Sequence, residues 1–86
     1  MPIYRFSMPL VAVLELQKIG DYAAGKITSA LEAYGCSGRL EEVRGRGEDQ
    51  ESRHDMAWNY DSQFRLKDGV IKALGKNGVK VVELTE

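Results

Sequence analysis

The sequence predicts an α+β fold in the order strand, helix, strand, strand, helix, strand, and three observations carry that prediction. "DMAWNYD" and "VKVVELT" alternate with the period of a strand, "DYAAGKITSALEAYG" repeats apolar residues at helical spacing, and glycines stand where the helices should stop. A chain of 86 residues with 43% apolar and 29% charged side chains fits one folded domain, taken as residues 1–86.

Residues 3–16, "IYRFSMPLVAVLEL", are rich in β-branched and aromatic residues. Pro9 marks an irregular start, so the better strand is expected over 10–16. It would place Leu10, Ala12, Leu14 and Leu16 on one face and Val11 and Val13 on the other, as in a central strand covered on both sides. A helix follows over 21–34, with Ala23, Ile27, Ala30, Leu31 and Tyr34 in register, Asp21 placed to cap it and Gly35 to end it. "RLEEVRG" and "DMAWNYD" then read as the two arms of a long hairpin, with Gly45 and Gly47 at its bulge or tip. The second arm puts Met56, Trp58 and Tyr60 on one face against Ala57 and Asn59 on the other. A second helix is expected over 62–76, carrying Leu66, Val70, Ala73 and Leu74 and stopped by Asn77 and Gly78. Its start is open, because Phe64 and Leu66 also continue the even-numbered alternation of the preceding strand. The last strand sets Val79 and Val81 against Val82 and Leu84.

This order resembles the split βαβ pattern of ferredoxin-like sandwiches, in which two helices cover one face of a four-stranded antiparallel sheet. The resemblance implies that the first and third strands are central and that the other sheet face is uncovered. With apolar residues on both sides of 10–16, that open face would expose leucine or valine, and a homodimer or a partner on the sheet face is expected to cover them.

Twelve basic against thirteen acidic side chains leave a formal charge of −1, which removes the strong electrostatic reason to expect nucleic acid or an anionic membrane as partner. The single cysteine, Cys36, can form neither an internal disulfide nor a cysteine-based metal site, which favours a reducing, cytoplasmic setting. The longest apolar run, "MPLVAVLEL", is broken by Glu15 and falls far short of the ~20 residues of a membrane span. It also lacks the basic flank and cleavage pattern of a signal peptide.

The densest charge lies in "RGRGEDQESRHD". Arg44, Arg46 and Arg53 have the fork geometry for carboxylates or phosphates, and Glu48, Asp49 and Glu51 supply the opposite sign. The plainer reading is a solvated hairpin tip. His54 beside Asp55 is the one candidate for general-base chemistry, but adjacent residues on a strand point to opposite faces. With no second histidine or cysteine nearby, neither metal nor cofactor is expected.

Trp58 and Tyr60 on a strand of such a sheet resemble the stacking aromatics of an RNA recognition motif, which implies single-stranded nucleic acid as an alternative ligand. "RGRGEDQ" lacks the aromatics that motif requires. The size and element order are also similar to those of acylphosphatase-type enzymes, which would place an arginine-bearing anion loop after the first strand. Here "QKIGD" has no arginine, and the cysteine pair of metallochaperones with this topology is missing as well. The function expected is therefore non-enzymatic: a protein-binding module, adaptor or inhibitor of a larger machine, of the kind mobile elements also encode. Its partner surface would be the charged hairpin and the adjoining sheet edge. A small enzyme using His54 and nearby carboxylates is the remaining alternative.

Overall fold

In "IYRFSMP", Tyr4, Phe6 and Met8 alternate with Ile3, Arg5 and Ser7, and the period of two makes this stretch a strand with one apolar face. The computed structural model, which describes residues 2–43 and 55–84, forms β1 there, Ile3–Pro9. Residues 10–16 were the expected strand, and they form a helix instead: α1, Leu10–Lys18. Leucine, alanine, glutamate, glutamine and lysine dominate this segment and favour a helix. At helical spacing its inward side is Ala12, Val13 and Leu16 rather than one face of a strand. Pro9 closes β1 and stands at the helix N-cap, where its missing N–H costs no helical hydrogen bond.

The remaining elements are α2 (Ala23–Ala33), β2 (Gly38–Glu42), β3 (Asp55–Ser62), α3 (Asp68–Lys76) and β4 (Lys80–Glu83). The chain is thus a small α+β protein, and its described residues form three helices and an open four-stranded antiparallel sheet in the order β2-β3-β1-β4. β1 and β3 are central, as expected, and one helix more than expected separates β1 from β2.

The second expected helix begins later than the pattern allowed. The even-numbered alternation of Met56, Trp58 and Tyr60 runs on to Ser62, which is buried and whose N–H donates to the Pro2 carbonyl. Phe64 is exposed, and the helix starts only at Asp68, whose carboxylate suits the first turn. Asp21 does not cap α2 either. Tyr22 holds the N-cap position without a side-chain bond, and Asp21 pairs with Lys26 at 3.9 Å.

All three helices stop by one device. Gly20, Gly35 and Gly78 have φ between 73° and 83°, a left-handed backbone that glycine adopts without strain. Each donates its N–H to the carbonyl three residues back, while the next residue bonds five residues back: Asp21 to Leu16, Cys36 to Leu31, Val79 to Leu74. In α3 this tucks Val79 against Leu74, and both are buried.

The core is one cluster. Tyr4, Phe6, Met8, Trp58 and Tyr60 come from the even-numbered sheet face, and Val13, Ala23, Ile27, Leu31, Val70 and Leu74 from the helices. Phe6 and Tyr60 stack with centroids 5.6 Å apart, and the Tyr4 hydroxyl accepts the buried Leu66 N–H at 2.8 Å.

The opposite sheet face is mixed: Ile3, Ala57, Val82 and Leu84 share it with Arg5, Ser7 and Asn59, and Val82 and Leu84 are exposed. Arg5 donates from Nε to Asn59 Oδ1 at 2.8 Å, and Ser7, Ala57 and Asn59 stand half-buried around them. Leu10, Val11 and Leu14, expected on the sheet, stand on α1 instead, while Val82 and Leu84 are the large apolar side chains exposed on the open sheet face. Among the described residues no helix is long and apolar enough to cross a membrane.

Candidate functional site

β2 and β3 are antiparallel neighbours, and Val43 and Asp55 are the described residues on either side of the segment that joins them. Arg44, Arg46, Glu48, Asp49, Glu51, Arg53 and His54, the residues expected to bind a partner, lie outside the described residues. What stands beside their two ends is described. The Val43 N–H donates to the Ala57 carbonyl at 2.9 Å, and Asp55 is paired with Pro9 at the end of β1. Since α1 starts directly from Pro9, its first turn is held next to Asp55.

The outer side of that turn is apolar. Leu10, Val11 and Leu14 are 37%, 68% and 47% exposed, and with Pro9 and Asp55 they line a shallow hollow of about 440 Å³. Leu10 and Leu14 are four residues apart and share a face with Val11 at its edge. Reading 10–16 as a strand hid this surface. The signal that would have found it is the helical inward set Ala12, Val13 and Leu16, which leaves these three outside.

Trp58 and Tyr60, the aromatics considered for base stacking, share the helix-covered face and are each 3% exposed. A stacking platform needs rings that a base can reach. Neither ring lies on the open face, where Arg5 and Asn59 stand instead.

A second concavity lies at the other end of β2. Thr28, Leu31 and Glu32 of α2, the turn Cys36-Ser37, and Gly38, Leu40 and Tyr60 line a groove of about 700 Å³. Tyr60 reaches it because Gly38 has no side chain: a Cβ there would meet the Tyr60 ring at 2.7 Å and its hydroxyl at 2.8 Å. No described residue hydrogen-bonds that hydroxyl, and no fully buried side-chain polar atom among the described residues lacks a partner. The hydroxyl therefore opens into the groove.

Burial pushes the Tyr60 phenol above its ordinary 10.0, and nearby Cys36 adds to the shift; burial raises the Cys36 thiol above its ordinary 9.0. Both groups are thus protonated at neutral pH, the phenol as donor and acceptor and the thiol as a small apolar surface. Each holds its proton more tightly folded than unfolded, so its contribution to stability is complete below the unfolded value and is lost as pH rises through the folded one. Urea midpoints measured from about pH 8 to 11 should fall from about pH 9 upward, and Tyr60→Phe should flatten that fall. An identical decline in wild type and variant would remove Tyr60 from the account.

Among the described residues no group of three or more His, Cys, Asp or Glu side chains is placed to hold a metal ion. Compared with protein-family models, curated proteins and solved structures, the chain matches none.

Proposed function

We propose that this chain is a non-enzymatic protein-binding module, an adaptor or inhibitor that docks through the outer face of α1 and the charged segment 44–54. The observation that carries the reading is the exposed trio Leu10, Val11 and Leu14 next to Asp55, the residue that follows the charged segment. Protein interfaces combine an apolar centre with a polar rim, and a lone solvated hairpin tip needs no such centre. The partner chemistry that fits is an apolar groove rimmed by charged groups of both signs. The strand order and antiparallel senses further support reading the fold as a ferredoxin-like sandwich with α1 inserted after the first strand.

The test is capture of partners from lysate by tagged wild type and by the double variant Val11→Glu/Leu14→Glu. The new carboxylates would lie near the helix N-terminus, which has no acidic residue in its first turn, and one would precede Lys18 by four residues. Thermal stability should therefore hold within about 0.5 kcal/mol. A stoichiometric, nuclease-resistant partner lost from the double variant, and also from Arg44→Glu/Arg46→Glu, is the expected result. Undiminished capture by both variants would end the proposal.

A further inference from the structure

We infer that the outer edge of β2 at Gly38 and Leu40 and the groove beside α2 form a docking site for an extended peptide segment of a partner protein, added to the sheet as a further strand. This site is separate from the outer face of α1 and does not depend on it. Among the described residues β2 is an edge strand, since the sheet order is β2-β3-β1-β4. The phase of its ladder is set by the Gln63 N–H donating to the Ser37 carbonyl at one end and the Val43 N–H donating to the Ala57 carbonyl at the other. Antiparallel pairs alternate, so Arg39 and Glu41 bond to β3, and the backbone N–H and C=O of Gly38 and Leu40 point out from the edge. A row of outward backbone donors and acceptors is matched by another extended backbone rather than by a compact small molecule.

Three features make this edge a built site rather than a bare one. The groove beside it, about 700 Å³, lies within the roughly 300–1,000 Å³ typical of ligand clefts. Its floor holds Leu31, Leu40 and Cys36 for an apolar side chain, with the Tyr60 hydroxyl for a polar one, on a residue 97% buried by its 3% exposure. Its α2 wall ends in the negative end of the helix dipole, with Glu32 in the last turn and no basic residue there. Glu32 has no ion-pair partner among the described residues. The peptide that fits is therefore extended, alternates a small apolar residue toward the groove, and carries lysine or arginine where it passes the end of α2.

The test is selection of a random library of short linear peptides, displayed on phage, against the immobilised full chain. An enriched peptide is then synthesised and N-methylated at alternate positions in two series. Methylation of the residues facing β2 should weaken binding by at least about tenfold, and methylation of the others by no more than about twofold. Bound peptide should shift the Gly38 and Leu40 amide resonances and slow alkylation of Cys36, the only cysteine. Leu40→Pro, which deletes an outward N–H and leaves the β3 ladder intact, should abolish binding with the circular dichroism spectrum unchanged. If that variant does not fold, the contrast between the two methylated series still decides.

Four results would overturn the inference. One is no enrichment over a protein-free surface, and a second is equal tolerance of both methylated series. A third is binding lost in Val11→Glu/Leu14→Glu but kept in Leu40→Pro. The fourth is protection of the Gly38 and Leu40 amides that rises with protein concentration alone, which would place a second copy on the edge.

Discussion

Trp58→Ala is expected to destabilise the protein by about 3–5 kcal/mol, a large share of the roughly 5–15 kcal/mol that holds a typical domain together. The indole is 3% exposed and lies opposite Phe6 of β1, with Val13 of α1 and Ala23 of α2 beside it in the same core. Truncation would leave a cavity walled by a sheet and two helices, which can collapse only by moving one of them. Because this is the only tryptophan, the variant has no indole fluorescence, and urea unfolding followed by circular dichroism is the measurement. A ring serving as an exposed stacking platform would behave in the opposite way. Its removal would shift stability by no more than about 0.5 kcal/mol and would abolish salt-sensitive binding of single-stranded nucleic acid. A variant as stable as the wild type would therefore contradict the burial of Trp58 and restore the nucleic-acid reading.

The same residue shows where the sequence was legible and where it was not. That Met56, Trp58 and Tyr60 share one face follows from a period of two, and the structure keeps that face together. Which side of the sheet the helices cover is a tertiary fact that alternation does not encode. Helix ends were readable at Gly35 and Gly78, because few residues besides glycine accept the left-handed backbone that ends a helix in this way. The start of α3 was not, since Ser62, Phe64 and Leu66 satisfy strand and helix patterns at once. "LVAVLEL" failed for a related reason: a short run apolar on every side has no period to read, and helix propensity with Pro9 at its head decided the outcome. The charged segment 44–54 was conspicuous by composition, whereas the apolar turn of α1 became visible only once Asp55 was located beside Pro9. The groove at β2 was invisible for a stronger reason. It depends on the pairing of Gly38 with Ser62 and on the direction of the Tyr60 ring, and neither has a local signature.

That dependence gives Gly38→Ala an outsized effect for an exposed position on an edge strand. Alanine normally stabilises an extended segment relative to glycine by up to about 1 kcal/mol, because the unfolded chain loses freedom. Here the added Cβ would stand 2.5 Å from the Asp61 carbonyl oxygen and 2.7 Å from Cζ of Tyr60. The carbonyl is fixed by the ladder, and the ring is fixed by stacking on Phe6, so neither neighbour can yield alone. The expected result is a loss of about 1–3 kcal/mol in chemical denaturation, with the sign opposite to that of the ordinary glycine-to-alanine change. A double-mutant cycle with Tyr60→Leu separates the two contacts. Removing the ring should recover the part of the loss due to the aromatic contact, leaving the part due to the backbone oxygen. Strict additivity would mean that the ring does not lie against Gly38, and the Tyr60 hydroxyl would then have no path into the groove. A loss that Tyr60→Leu partly relieves would tie the missing side chain at position 38 to the open floor of the groove, since the space that glycine leaves is the space that the tyrosine ring uses to reach it.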